Sequence, residues 1–161
     1  MLHERFDAAA VAAAIDGGEV AFASLVPTML DRLLRERGER VAPASLRGIL
    51  LGGAAPPPEL FARAERLGFP VATTYGLTEA ASQVATRRPG SIGAGLTPLP
   101  GTRVRIAAES GESCSAGEPG EILIASDTVM RGYWRRPDDS ARAPAGGWLH
   151  TGDTGFLDAA G

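Results

Sequence analysis

Apolar residues in the first part of the chain follow helical spacing and strand spacing in turn. Ala8–Ile15 consists largely of good helix formers, and the two glycines at positions 17 and 18 are a typical helix end. Val20–Val26 is short and apolar, which predicts a buried strand. From Pro27 to Gly38 apolar side chains recur at helical spacing, and the charged residues, Arg37 among them, lie on the other faces.

The same alternation repeats further along. Leu46–Leu51 is a nearly continuous apolar run and predicts a second strand. Three prolines then precede Glu59–Leu67, where they favour the start of a helix, and Pro70–Tyr75 predicts a third strand. Strands that alternate with helices predict an α/β fold, a parallel sheet with crossover helices.

The second half of the chain has a different pattern. Short alternating runs at Thr102–Ala107, Glu121–Ala125 and Thr128–Tyr133 are separated by clusters of turn residues. This pattern predicts a small, irregular antiparallel sheet or barrel. Glycine and proline are frequent between residues 88 and 100, so we expect one domain over residues 1–90 and a β-rich one over 91–161.

Composition excludes several classes of protein. The chain has 161 residues and a net charge of −3, which argues against a nucleic-acid partner. No apolar run reaches the roughly 20 residues of a membrane span, and the N-terminal segment lacks a secretory signal. The single cysteine, Cys114, excludes an internal disulfide framework. A cytoplasmic protein is therefore the expectation.

All 16 basic residues are arginines. Without a lysine the chain cannot form a GxxxxGK[ST] phosphate-binding loop. Any lysine-dependent chemistry must come from outside this sequence.

Three segments gather glycines, hydroxyls and carboxylates at the ends of predicted strands, where parallel sheets bind ligands. The first is Gly52–Ala55, whose small residues allow a flat ligand to approach the backbone. A tight strand-to-helix turn would need the same residues, so this segment alone leaves both interpretations open.

The second segment is Thr73–Glu79. Tyr75 offers an aromatic face for a base, the threonines offer hydroxyls for phosphate, and Glu79 offers an oxygen ligand for magnesium. Alternatively, Thr78 caps a helix and Glu79 interacts favourably with its dipole. Both interpretations are compatible.

The third segment is Trp148–Asp153. An acidic side chain after a glycine turn can accept hydrogen bonds from the two hydroxyls of a ribose. An Asx turn at Asp153 is the alternative that the local sequence leaves open.

Four segments of the chain resemble consecutive motifs of the AMP-forming acyl-CoA synthetase superfamily. In chain order they are LGGAAPPPEL, TTYGLTEAASQ, GYWRRPDDS and GGWLHTGDTGFLDAAG. The resemblance covers nearly the whole chain, and YGLTE followed by TGD is a specific joint signal. SLVPTML and Ser82-Gln83 are similar to the o-succinylbenzoate–CoA ligases of menaquinone synthesis within that superfamily. The fold implied is the end of an α/β subdomain followed by a small distorted antiparallel β subdomain, both from a large N-terminal domain.

The resemblance implies a two-step reaction with ATP, Mg²⁺ and coenzyme A. A small-molecule carboxylic acid attacks the α-phosphate of ATP and gives an acyl-adenylate and pyrophosphate. Coenzyme A then displaces AMP. The alternatives are another acyl- or aryl-CoA synthetase of the superfamily, or a non-catalytic nucleotide-binding fragment.

Site residues follow from the same resemblance. The nucleotide-binding positions are Gly53, Ala54, Ala55, Thr74, Tyr75, Gly76 and Asp153. Among them, Tyr75 stacks on adenine and Asp153 binds the ribose. The catalytic positions are Thr78, which contacts the α-phosphate, and Glu79, which holds the metal ion. Ser82 lines the acid pocket, to which Gly76 also contributes.

Two family features have no counterpart in this sequence: a Ser/Thr/Gly-rich phosphate loop and a lysine-bearing C-terminal domain. Ser140 stands where the family usually has threonine. We therefore expect a piece of a longer enzyme, inactive without its missing N-terminal and C-terminal portions.

Overall fold

The computed structural model describes residues 5–90, 95–142, 144–145 and 147–161. These residues form two compact units. The first comprises residues 5–75 and 87–90, and the second comprises residues 76–86 with the described part of 95–161. The expected combination of a parallel α/β part and a small antiparallel part is confirmed. The domain boundary between residues 90 and 91 stays a prediction.

The first unit alternates helices and strands as the hydrophobic pattern predicts. Its elements are α1 (Ala8–Asp16), β1 (Phe22–Leu25), α2 (Pro27–Arg37), β2 (Gly48–Leu51), α3 (Pro58–Arg66) and the start of β3 (Val71–Leu77). The three strands pair in parallel, with Leu25 beside Leu51 and Leu51 beside Thr73. Parallel pairing aligns the carboxyl ends of the strands at one edge of the sheet.

The apolar faces of α1 and α2 meet the sheet in one core. Fully buried side chains include Ile15, Leu30, Leu33, Leu34, Ile49 and Leu51. Burial of each such side chain contributes roughly 1.5–3 kcal/mol. The core therefore fixes where the strand ends, and hence the candidate site segments, lie within this unit.

Arg37 departs from the expected polar face of α2. Its side chain is buried, with 3% of the residue exposed, because it joins the end of α1 to the end of α2. The guanidinium donates to Asp16 Oδ1 at 2.5 and 3.1 Å and to the carbonyl oxygens of Arg40 and Val41 at 3.3 and 3.0 Å. A buried charge is tolerated when it is paired and hydrogen-bonded in this way.

The first strand is less buried than its sequence suggests. Phe22 is 65% exposed, and Leu25 is the residue of β1 that is buried. Among the described strands β1 pairs with β2 alone, so its outer edge is open to solvent. The prediction of a buried strand is thus wrong on burial, although the strand itself is present.

The second unit contains two antiparallel arrangements. β4 (Ser82–Thr86) pairs with β5 (Thr97–Pro98). A separate sheet has the strand order β6-β7-β9-β8, formed by Arg103–Ala107, Gly120–Ala125, Trp148–Gly155 and Pro144–Ala145. A short helix, α4 (Pro137–Arg142), precedes β8. Leu123, Ile124 and Leu149 are fully buried in this unit.

The strand expected at Thr128–Tyr133 is wrong. This stretch forms turns and bends, in which the Val129 amide donates to the carbonyl of Ser126 at 3.1 Å. Gly132 has a φ of +146°, which interrupts an extended run. The alternating sequence pattern therefore reflects an irregular connection rather than a strand.

Candidate functional site

The glycine turn after β2 lies directly against the middle of β3. A methyl group added to Gly52 would come within 2.8 Å of the Thr74 Cγ2 atom, closer than such carbons approach. Gly53 has a φ of +82°, a conformation that glycine adopts without strain. The first unit thus brings together two segments that the sequence singled out.

The residues next to the Gly52–Thr74 contact are small or only partly buried. Ala54 and Ala55 are exposed, and Thr74 and Tyr75 are half-buried in the middle of β3. The Thr74 hydroxyl donates to the carbonyl oxygen of Tyr75 at 3.4 Å. Small side chains next to a strand end with a hydroxyl and an aromatic ring can accommodate a flat ligand such as a purine.

A tight turn in the second unit brings Gly76 against Ser82. A Cβ atom on Gly76 would lie 1.6 Å from the carbonyl oxygen of Ser82, so no other residue fits there without a backbone shift. The turn passes through a single 3₁₀ turn, Thr78–Ala80, and through positive φ angles of 56° at Ala81 and 117° at Ser82. Non-glycine residues with positive φ are uncommon and concentrate at functional sites.

The alternative role of Thr78 as a helix cap is wrong. Thr78 is the first residue of the 3₁₀ turn, and the cap position is Leu77, which makes no side-chain cap hydrogen bond. The turn continues into β4 instead of a helix. The hydroxyl of Thr78 therefore has no capping function.

Glu79 is held by a tyrosine from a distant segment. The Tyr133 hydroxyl donates to Glu79 Oε1 at 2.6 Å, across a sequence separation of 54 residues. The Met130 amide donates to the Glu79 carbonyl oxygen at 2.7 Å, so backbone and side chain of Glu79 are both fixed. The Tyr133 amide in turn donates to Ser140 Oγ at 2.8 Å.

The hydrogen bond favours the ionised form of Glu79. The Tyr133 hydroxyl lowers the pKa of the Glu79 carboxyl below its usual value, and the carboxylate raises the pKa of the Tyr133 phenol. An ionised carboxylate is the form that coordinates a cation.

A single carboxylate fits the expected magnesium. Magnesium keeps several waters and binds through one or two carboxylates together with substrate phosphates. Within the described ranges, no group of three or more His, Cys, Asp or Glu residues could hold a metal ion. Glu79 therefore fits a metal ion that arrives with a phosphate substrate better than a resident metal centre.

Asp153 lies on an exposed, irregular part of β9. Its amide donates to Thr151 Oγ1 at 3.0 Å, and the Thr151 hydroxyl donates to the carbonyl oxygen of Ile122 on β7 at 2.7 Å. Gly152, between them, has a φ of +73°. The chain before Asp153 is thus bent by specific hydrogen bonds.

Glu121 on β7 binds the same bend. Its Oε1 accepts the Gly152 amide at 3.0 Å, and its Oε2 lies 2.9 Å from His150 Nδ1. The hydrogen bond to His150 is the largest of the effects that lower the pKa of the Glu121 carboxyl below its usual value. His150 itself is exposed.

Sequence reasoning gave no role to Tyr133, although it lies in the segment GYWRRPDDS, and did not single out Glu121. Both bind a predicted site segment from another element, at separations of 54 and 31 residues, so no local spacing could indicate the pairs. That Tyr75, Glu79 and Asp153 meet around one ligand stays a prediction.

No helix in the described ranges combines the length and the apolar character that crossing a membrane requires.

A family model described as AMP-binding enzyme matches residues 1–134 of the chain. The 2-succinylbenzoate–CoA ligase of Geobacillus sp. (strain WCH70) is 40% identical over 157 residues, which are 95% of this chain and 32% of that protein. A feruloyl-CoA synthase of Amycolatopsis sp. is 37% identical over 166 residues, covering 100% of this chain and 34% of that protein.

A solved structure shares the fold of the described chain. The O-succinylbenzoate coenzyme A synthetase of Bacillus subtilis, in complex with ATP and magnesium ion, matches with a TM-score of 0.89 and 38% identity. The match covers 99% of this chain and 34% of that one. The chain therefore spans about a third of the length of these relatives.

Proposed function

The chain belongs to the family of AMP-binding enzymes, and from that premise we propose that it is the nucleotide-binding part of an ATP-dependent, AMP-forming acid–CoA ligase. The observation that carries the proposal is the turn after β3. Gly76 approaches Ser82 closely, so Thr78 and Glu79 lie in a tight turn of the second unit directly after Leu77, the last residue of β3. An aromatic ring, a hydroxyl and a carboxylate, in this order along the chain, suit a nucleoside phosphate.

Each residue has a separate task in the proposed site. Tyr75 stacks on adenine, Thr74 and the backbone of Gly53–Ala55 border it, and Asp153 accepts the ribose hydroxyls. Thr78 hydrogen-bonds the α-phosphate, and Ser82 with Gly76 borders the carboxylic acid. Positioning of this kind supplies much of the catalysis in phosphoryl transfer.

Glu79 would hold magnesium. When bound, the metal ion neutralises phosphate charge and so favours attack at phosphorus. The part of this chain is to present an ionised, oriented carboxylate, which the Tyr133 hydroxyl secures.

The overall reaction proceeds in two displacements. A carboxylate oxygen of the acid forms a bond to the α-phosphorus while the bond to pyrophosphate breaks. The thiolate sulfur of coenzyme A then bonds to the acyl carbon while AMP leaves. Because all 16 basic residues of this chain are arginines, any lysine that the reaction uses comes from another part of the enzyme.

We propose o-succinylbenzoate as the acid, with a role in menaquinone synthesis. The similarity to a 2-succinylbenzoate–CoA ligase at 40% identity supports this choice. The feruloyl-CoA synthase at 37% identity makes an aryl acid such as ferulate the alternative. A cytoplasmic location belongs to the same proposal, because ATP and coenzyme A are supplied there.

A chimera with a relative tests which carboxylic acid is the substrate. A chimera in which this chain replaces the matching third of the Bacillus subtilis synthetase should release pyrophosphate from ATP faster with o-succinylbenzoate than with ferulate. The chimera with Asp153→Asn should lose most of that rate, whereas Asp158→Asn, in an exposed turn nearby, should retain it. A chimera that prefers ferulate would exclude the proposed acid but retain the reaction class.

Nucleotide binding is tested on the chain itself. Calorimetry should show AMP binding, and Asp153→Asn should weaken it roughly tenfold, because a charge-assisted hydrogen bond contributes about 1.5–3 kcal/mol. Asp158→Asn is the matched control, since an asparagine can still accept the Ala160 amide, 2.9 Å away in the structure. The absence of heat at millimolar AMP would contradict the proposed site.

Non-catalytic nucleotide binding is the second candidate function. A chimera that binds AMP with normal affinity but releases no pyrophosphate would support this candidate.

A further inference from the structure

The strands β7 and β9 lose their regular register next to Asp153. Gly120 lies opposite Gly155 and Glu121 opposite Thr154, but Leu123 already lies opposite His150. One residue of β7, Ile122, therefore faces the three residues 151–153 of β9. The excess chain on β9 forms a bulge, and bulges occur next to active sites, where they redirect a side chain.

Side chains replace the missing ladder bonds in this bulge. The Gly152 amide donates to Glu121 Oε1 at 3.0 Å instead of to a strand carbonyl. The Asp153 amide donates to Thr151 Oγ1 at 3.0 Å, and the Thr151 hydroxyl donates to Ile122 O at 2.7 Å. Two consecutive amides of the bulge are thus held by side-chain oxygens.

Glu121 is anchored on its other side. Its Oε2 lies 2.9 Å from His150 Nδ1, so one carboxylate spans the residue before the bulge and the glycine within it. A carboxylate bound at both oxygens has a defined orientation, because rotation about its last bond would break both contacts. The position of the Gly152 amide, and with it the direction of the next residue, follows from that orientation.

We propose that Glu121, assisted by Thr151, is a positioning residue that shapes the β9 bulge so that Asp153 can bind the two ribose hydroxyls of the nucleotide. This inference rests on the proposed role of Asp153 in ribose binding. Glu121 itself touches neither substrate nor metal ion; it acts through the Gly152 amide.

The test measures selectivity for ribose hydroxyls. Calorimetry gives the ratio of the Kd for 2′,3′-dideoxy-AMP to the Kd for AMP, which isolates the contribution of the two hydroxyls from general binding. Glu121→Ala and Thr151→Val should lower this ratio about tenfold, because Asp153 is no longer directed at the ribose. Thr151→Ser keeps the hydroxyl, and Glu121→Gln keeps an oxygen for the Gly152 amide, so both should restore most of the ratio.

A matched control removes an equivalent carboxylate elsewhere in the unit. Glu118 Oε2 accepts the Ser115 amide at 2.9 Å in the turn before β7. Glu118→Ala should leave the ratio unchanged. Amide hydrogen exchange measured by NMR gives a second readout without ligand: the Gly152 amide should exchange faster in Glu121→Ala than in Glu118→Ala.

The outcomes separate the two proposals. A wild-type chain that binds AMP and its dideoxy analogue equally would show that Asp153 does not bind ribose, which overturns the site assignment and this inference with it. A wild-type preference for AMP that survives in Glu121→Ala and Thr151→Val would overturn the positioning role alone. If Glu121→Ala does not fold, the Thr151→Val and Thr151→Ser pair decides the question.

Discussion

The hydrogen bond between Tyr133 and Glu79 joins two segments of the second unit and should therefore stabilise it. Tyr133→Phe removes the hydroxyl, which lies 2.6 Å from Glu79 Oε1, and changes nothing else in the ring. A hydrogen bond to a charged group contributes about 1.5–3 kcal/mol when buried. Because Tyr133 is 42% exposed, solvent screens the bond and we expect a favourable coupling that lies well below the buried value.

A double-mutant cycle with Glu79→Gln measures that coupling. Both tryptophans, Trp134 and Trp148, lie in the second unit, so urea unfolding followed by tryptophan fluorescence reports on this unit. The control cycle pairs Glu79→Gln with Thr128→Val. The Thr128 hydroxyl lies 3.0 Å from Ser126 Oγ, so the free energies of unfolding in this cycle should be additive.

The coupling should also depend on pH with a definite sign. The pKa of Glu79 is lower in the folded state than in the unfolded state. Its contribution to the free energy of unfolding is therefore complete above the unfolded-state pKa and is lost as the pH falls through the folded-state pKa. The pKa of Tyr133 is higher in the folded state than in the unfolded state. In alkaline solution its contribution to the free energy of unfolding is therefore complete below the unfolded-state pKa and is lost as the pH rises through the folded-state pKa. Additive free energies at pH 7, or a coupling that persists unchanged in acid, would refute this reasoning.

Two further substitutions test packing in each unit. Gly76→Ala would place a methyl group 1.6 Å from a backbone carbonyl oxygen, so it should destabilise the second unit by about 3 kcal/mol or more. Gly90→Ala is the control: it has a φ of +72° but no atom within 4 Å of the added methyl group, so it should destabilise the first unit by about 1 kcal/mol. Urea unfolding followed by circular dichroism compares the two variants. Arg37→Met should destabilise the first unit by about 2 kcal/mol in the same assay. This loss is smaller than the loss on breaking a fully buried ion pair, because Asp16 is 30% exposed and keeps a second arginine partner. A loss below about 0.5 kcal/mol, the range of a surface substitution, would contradict the role of Arg37.

The first unit follows from local sequence because its elements are specified locally. Helical spacing, prolines at helix starts and glycines at helix ends predict α1, α2 and α3 to within about two residues at most ends. Burial of particular residues is not specified in this way. Arg37 is buried because Asp16 and two carbonyl oxygens surround it, and Phe22 is exposed because β1 is an edge among the described strands.

Irregular structure in the second unit could not be predicted from spacing. The strand predicted at Thr128–Tyr133 fails because a non-local contact, the Met130 amide on the Glu79 carbonyl oxygen, fixes this connection. β4 was not predicted either, since it begins at Ser82 with a positive φ that a strand pattern does not indicate. Local propensity has little weight where tertiary contacts determine the backbone.

Each segment that the sequence singled out owes its shape to a residue elsewhere in its own unit. Thr74 is packed against Gly52, Glu79 is bound by Tyr133, and the approach to Asp153 is bent by Glu121. The motif residues are the groups that we propose to contact the nucleotide, and they are recognisable because ligand chemistry dictates their type. Their partners are constrained only by geometry, so a relative that retains YGLTE and TGD but lacks an acceptor at the Glu121 position should have a weaker preference for ribose hydroxyls.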